Sequence, residues 1–126
     1  MTDALLICKN AAVLARAGAY LSEHRQFTIS IITRYEILRG LKAKGALKQA
    51  ERFEFFCVQN RVLPIDDKVI VQAADIYANL YQRGELVADA DILIAASALA
   101  NGCGLTTNNE AHFRRIAGLQ VENWLK

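Results

Sequence analysis

Apolar and polar positions along the chain fall into short runs whose period switches between that of a helix and that of a strand. Ala11 to Glu23 reads as a helix with Val13, Leu14, Ala17 and Leu21 near one face. Phe27, Ile29 and Ile31 then alternate with Thr28 and Ser30, a short strand that passes directly into a helix ending near Lys44. Tyr35, Leu38 and Leu41 form its expected inward stripe, and Gly45 stops it. A second helix over Gln49 to Gln59 offers Phe53, Phe56 and Val58 for burial, and Val62, Leu63 and Ile65 make a brief extended segment around Pro64. Asp66 is a good N-cap for a helix to about Arg83, with Ile70, Ala73, Ala74, Tyr77 and Leu80 inward and Gln72, Asp75, Asn79 and Gln82 on the opposite face. After Gly84 a loop leads to Asp89, expected to cap a helix over Ala90 to Ala100 that Asn101-Gly102 ends. The run "CGLTT", a helix over Glu110 to Ile116 and a strand over Leu119 to Trp124 complete the chain.

Short apolar strands alternating with helices imply an α/β three-layer sandwich around a mainly parallel sheet. With 126 residues and no repeat, linker or low-complexity stretch, residues 1–126 form one expected domain, large enough to bury a core without staples. Sites in such sheets gather outside the carboxyl ends of the strands. Glu36 follows one predicted strand end and Asn108-Asn109 follow another, while Asp91 opens a helix able to reach the same edge.

Composition narrows the class. An apolar content of 53% with a single proline excludes a disordered chain, and a net charge of +2 does not by itself mark a nucleic-acid binder. The distribution of charge is more informative. Arg34, Arg39, Lys42, Lys44 and Lys48 cluster around Glu36, and Arg114 and Arg115 lie near the other end, an arrangement suited either to a polyanion or to solvated helix faces. Cys8, Cys57 and Cys103 are odd in number and lack a C-x-x-C, which argues for thiols serving as small apolar residues in a reducing compartment. A structural zinc is not expected with only His24 and His112 to help. The most apolar stretch, Ile92 to Ala100, is about half a membrane span. The expectation is a soluble cytoplasmic protein.

Two carboxylates stand beside apolar segments, where charged groups are seldom buried unless paired, hydrogen-bonded or bound to a cation. Asp91 has a structural explanation in the helix macrodipole, worth about 0.3–1 kcal/mol, although Asp89 already suits the capping role. Glu36 can equally form an i,i+3 pair with Arg39, worth about 0.2–0.5 kcal/mol. Asn108-Asn109 are either turn residues or neutral oxygen donors. Glu, Asp and Asn converging would suit a hard cation such as Mg²⁺. No nucleotide-binding glycine motif or nucleophile elbow is present, Asp66-Asp67 are explained by capping, and His112 is either a base or, as more often for a lone histidine in a polar helix, an ordinary surface residue.

The segments "SIITRYEIL", "DILIAA", "TTNNEAHF" and "GLQVENW", in that order and spacing, resemble a PIN domain of the VapC toxin type from about Phe27 to Trp124. The resemblance implies a metal-dependent endoribonuclease toxin, usually dimeric and inhibited by a VapB-like antitoxin. By position, Glu36 and Asp91 match two family acids, and Asn109 matches a later position held by Asp or Asn, with Thr107 beside it. The family opens with a strand delivering an acid in a pattern like L-D-T-[DN], whereas this chain begins "MTDALL". If Thr2-Asp3 match the end of that pattern, Met1 stands where the first acid belongs and the preceding strand is lacking, with bare sheet edges as the consequence. Asp3 is the alternative first acid.

Together these readings predict an Mg²⁺- or Mn²⁺-dependent ribonuclease whose catalytic and metal-binding residues are Glu36, Asp91, Asn109 and Asp3. The expected partners are RNA, a VapB-like antitoxin and a second copy of the chain, with no membrane. The alternative is a catalytically impaired PIN-like protein that binds RNA, antitoxin or itself without turnover.

Overall fold

The computed structural model describes residues 4–8 and 27–123. The helix expected over Ala11 to Glu23, together with Asp3, His24 and Trp124, lies outside the described residues. Five strands form one sheet: β1 (Leu5–Cys8), β2 (Thr28–Ser30), β3 (Arg61–Leu63), β4 (Cys103–Thr106) and β5 (Val121–Glu122), in the order β3-β2-β1-β4-β5. The helices are α1 (Ile31–Ala43), α2 (Leu47–Gln59), α3 (Asp67–Arg83), α4 (Asp89–Ala100) and the single turn α5 (Glu110–Phe113).

The sheet is mixed. β2 and β3 are parallel, as are β4 and β5, but β1 runs antiparallel to both of its neighbours. The mainly parallel expectation therefore holds for the outer strands and fails at the centre. The unbroken hydrophobicity of Leu5–Cys8 suits a strand covered on both faces. Leu6, Ile7 and Cys8 are all buried. With β1 in place the inner edges of β2 and β4 are paired, so the bare edges anticipated for a sheet without its first strand do not occur.

The two faces of β1 meet different layers. Ala4, Leu6 and Cys8 join the main core with Val69, Ala73, Ile76 and Leu80 of α3 and Ile92, Ala95 and Ala96 of α4. On the other face Leu5 and Ile29 line a cavity of about 260 Å³ with Thr33 and Ile37 of α1 and Phe53 and Phe56 of α2. Gly104 has a packing reason: a Cβ there would stand 2.9 Å from the Gln120 carbonyl oxygen.

Several faces differ from their sequence reading. In α3 the buried stripe is Val69, Ala73, Ile76 and Leu80, while Ile70, Ala74 and Tyr77 are exposed. Ala73 and Leu80 are buried as expected, while Val69 and Ile76 take the places expected of Ile70 and Tyr77. Tyr35 and Val58 are exposed, and Thr33 rather than Tyr35 is the buried residue of α1. In β2, polar Thr28 and Ser30 are as buried as Ile29, so its alternation does not mark a solvent face. The last helix is shorter than expected, ending at Phe113, and the closing strand comprises Val121–Glu122.

The expectation of three unpaired thiols is also corrected. Cys8 and Cys103 are register partners across the β1–β4 ladder, with Cα atoms 4.1 Å apart, and form a disulfide. Their separation of 95 residues hides a direct cross-strand opposition. The cysteines thus give no argument for a reducing compartment. Cys57 is free and buried, as expected, and burial pushes its thiol above the ordinary value, which keeps it protonated and unreactive. No described helix is long and apolar enough to cross a membrane.

Candidate active site

The strand ends and helix starts bring three of the four expected residues to one edge of the sheet. Ser30 ends β2 in an extended conformation and its Oγ accepts from the Ile32 N–H at 3.0 Å, so α1 starts immediately and carries Glu36 in its second turn. Asp91 is the third residue of α4, a helix too apolar to face water. Beyond β4, the Asn109 backbone N–H donates to Thr107 Oγ1 at 3.0 Å, a local turn that fixes the start of α5. Asp3 lies outside the described residues, next to Ala4, which is fully buried.

Glu36 is held in an unfavourable place for a charge. Its side chain is 11% exposed and Oε1 is buried with no hydrogen-bond partner, while Oε2 lies 3.7 Å from the exposed Arg39 guanidinium. The anticipated i,i+3 pair is therefore present, but it leaves half of the carboxylate unserved. Burial holds Glu36 above the ordinary carboxylate value; Arg39 opposes that shift and the charge of Asp91 adds to it. The last contribution places the two acids within electrostatic reach of each other.

Asp91 is 8% exposed and does not cap its helix. The N-cap position falls to Ala88, which makes no side-chain cap, and Asp89 sits in the first turn instead of the capping place expected for it. Asp91 Oδ2 faces His112 Nδ1 at 3.2 Å, and the same nitrogen lies 3.1 Å from the Asn109 side-chain amide. His112, 45% exposed in its side chain, therefore adjoins two of the candidate site residues. The signal available in the sequence was its spacing, three residues after Asn109, which puts both on one side of a helical turn.

The basic surroundings are less free than their sequence clustering implied. Arg34 makes two hydrogen bonds to Glu54, at 2.8 and 2.7 Å, and holds that carboxyl below its usual range. Arg115 donates to the carbonyls of Glu85 and Leu86, and Arg114 pairs with Glu110 at 3.0 Å. Arg39 lies over the Tyr35 ring, and Lys42, Lys44 and Lys48 are exposed.

The donor set fits a hard divalent ion. Glu36 Oε1 is buried without a hydrogen-bond partner, its only ion pair being the 3.7 Å contact of Oε2 with Arg39 among the described residues, and Asp91 and Asn109 offer oxygen donors. Among the described residues no group of three or more His, Cys, Asp or Glu side chains is placed to hold a metal ion, so an ion here would rest on the two acids and neutral oxygen donors. A hard divalent ion held by one or two carboxylates keeps several of its waters.

Comparison with known proteins places the architecture in a family context. A profile of the PIN domain matches residues 9–119. Ribonuclease VapC1 of Methanocaldococcus jannaschii is 36% identical over 95 residues, covering 74% of this chain and 68% of the relative. The tRNA(fMet)-specific endonuclease VapC of Salmonella typhimurium is 32% identical over 97 residues, covering 76% of this chain and 74% of the relative. Among solved structures, VapBC2 from Rickettsia felis bound to a promoter DNA fragment superposes with a TM-score of 0.75 at 26% identity, covering 91% of each chain. DNA-bound VapBC from Salmonella typhimurium gives a TM-score of 0.72 at 32% identity over 77% of this chain and 74% of that one.

Proposed function

Because this chain belongs to the PIN-domain family, with the family profile spanning residues 9–119, we propose that it is a metal-dependent endoribonuclease of the VapC toxin type. The observation that carries this reading is the electrostatic coupling of two mostly buried acids, Glu36 with an oxygen no hydrogen bond satisfies and Asp91 at a helix start it does not cap. The resemblance to VapC ribonucleases supports RNA as substrate, and the VapBC neighbours support an antitoxin partner. A homodimer and a cytoplasmic location belong to the same proposal.

Glu36 and Asp91 would hold the ion and orient water, with Asn109 adding a neutral oxygen and Thr107 setting the turn that presents it. When bound, Mg²⁺ or Mn²⁺ would supply an activated water and neutralise charge developing on the phosphate. Neither acid serves as a covalent nucleophile. Exposed Lys42, Lys44 and Lys48 would draw in the RNA backbone, which makes binding salt-sensitive. Arg34, already committed to Glu54, contributes little to that field.

One observation favours a second reading. Among the described residues the central strand, Leu5–Cys8, contributes no carboxylate, so the acid that the family draws from its first strand is either Asp3 or none that the strand itself supplies. In the latter case the chain binds RNA or antitoxin without turnover. Incubation of the full chain with structured RNAs and Mn²⁺, beside an EDTA control and Asp91→Asn, separates the two. Cleavage that requires both metal and Asp91 supports the nuclease. A folded, metal-loaded sample that leaves every RNA intact supports the non-catalytic binder.

A further inference from the structure

His112 joins two candidate site residues that come from different elements. Its Nδ1 lies 3.2 Å from Asp91 Oδ2, in the first turn of α4, and 3.1 Å from the side-chain amide of Asn109, just before α5. An ionised carboxylate offers only acceptors, and an imidazole nitrogen either carries a proton or presents a lone pair. A lone pair on Nδ1 would oppose the lone pairs of Asp91, so the contact calls for the proton there. That proton suits the Asn109 side chain only when the amide presents its oxygen. Turning the amide by half a rotation exchanges its oxygen and nitrogen without altering the packing. One N–H then serves two acceptors, Asp91 Oδ2 and Asn109 Oδ1, as a three-centre bond.

The result is a tether across the site. The bond from the Asn109 backbone N–H to Thr107 Oγ1 fixes the local turn but leaves the side chain free to rotate. His112 restrains that side chain and ties it to a carboxylate carried by a separate helix. Both bonded oxygens keep a further lone pair, so the tether orients them without using them up.

We propose that His112 is a positioning residue, whose Nδ1–H holds Asp91 and Asn109 in one fixed relation. The role needs only the proton on Nδ1, which the neutral Nδ1–H form and the imidazolium both carry. It deepens the ribonuclease reading above, on which its kinetic test rests. Loss of the tether slows turnover and leaves RNA binding nearly intact, because His112 acts through the two side chains it holds.

The test has a spectroscopic arm and a kinetic arm. Long-range ¹H–¹⁵N correlation spectra of the full chain without metal report which ring nitrogen of His112 carries a proton. A protonated Nδ1 is expected, and an Nδ1 without a proton overturns the proposal whatever the variants do. In RNA cleavage with Mn²⁺, His112→Ala should lower kcat about tenfold or more and change KM less than about twofold. An asparagine amide nitrogen falls near the place of Nδ1, and a glutamine amide nitrogen near that of Nε2. His112→Asn should therefore recover most of the lost rate and His112→Gln little of it. Equal rates for wild type and His112→Ala, or recovery by His112→Gln alone, overturn the proposal. A wild type that has Nδ1 protonated yet cleaves no RNA supports the tether and overturns the ribonuclease reading.

Discussion

Helices α3 and α4 begin alike in sequence and differently in space. Each start carries two closely spaced aspartates. At α3, Asp66 Oδ1 accepts from the Val69 N–H at 3.1 Å and Asp67 lies in the first turn, so both acids serve the helix. At α4 the N-cap is Ala88 with no side-chain cap, and Asp91 is turned toward His112 on a separate element. Asp66 is accounted for by its bond to a free helix amide. Asp91, like Asp67, has the macrodipole of its first turn, but one of its oxygens is directed to His112 instead of to the helix.

Substitution breaks this comparison most sharply at Asp91. Asp91→Asn is expected to lower metal-dependent RNA cleavage by more than about a hundredfold, while thermal unfolding shows a change in Tm of only about 3 °C or less. An unchanged rate in a clean preparation would remove Asp91 from the mechanism. The reciprocal outcome is expected at α3. Asp66→Ala should cost about 1 kcal/mol in urea unfolding and leave the cleavage rate per folded molecule unaltered.

Glu36 sharpens the contrast through pH. Its raised value means that the folded chain retains this proton where the unfolded chain releases it. The stability it contributes is fully present below the ordinary carboxylate value and is lost as pH rises through the raised one. Glu36→Gln removes that loss. In EDTA the variant should unfold about 3 °C higher than wild type near neutrality, and the two melting curves should converge in acid. A wild type that is the more stable at neutral pH without metal would show that Glu36 is satisfied by the protein itself.

The smallest effect is expected at Arg34. Because its guanidinium is bidentate to Glu54, Arg34→Ala should leave the salt dependence of RNA binding nearly unchanged, whereas Lys42→Ala should reduce the slope by about one. Filter binding across a salt series distinguishes them.

What the residues disclosed in advance follows how local each cause is. The Asp66 cap, the stop at Gly84 and the turn at Asn101-Gly102 depend on a few neighbouring residues and were legible. So was the gathering of Glu36, Asp91 and Asn109, since sheet topology brings strand ends together. The orientation of α3 was not, because Tyr77 and Ile70 carry enough apolar surface to read as inward although they face solvent. The central place of Leu5–Cys8 and its antiparallel direction depend on partners far along the chain, as does the Cys8–Cys103 pairing. The contact of His112 with Asp91 is hidden from the sequence for a similar reason. It crosses 21 positions, and only the shorter step to Asn109 was open to a sequence argument.

The bond between Cys8 and Cys103 also turns most of this chain into a closed covalent ring. The site's acids Glu36 and Asp91 both ride on that ring, and His112 hangs just outside it. A single backbone cut between the two cysteines, for example in the segment between α3 and α4, would open the ring without dividing the molecule. Nicked material would migrate as one species until a reductant released the pieces, with Asp91 and His112 still on the same fragment.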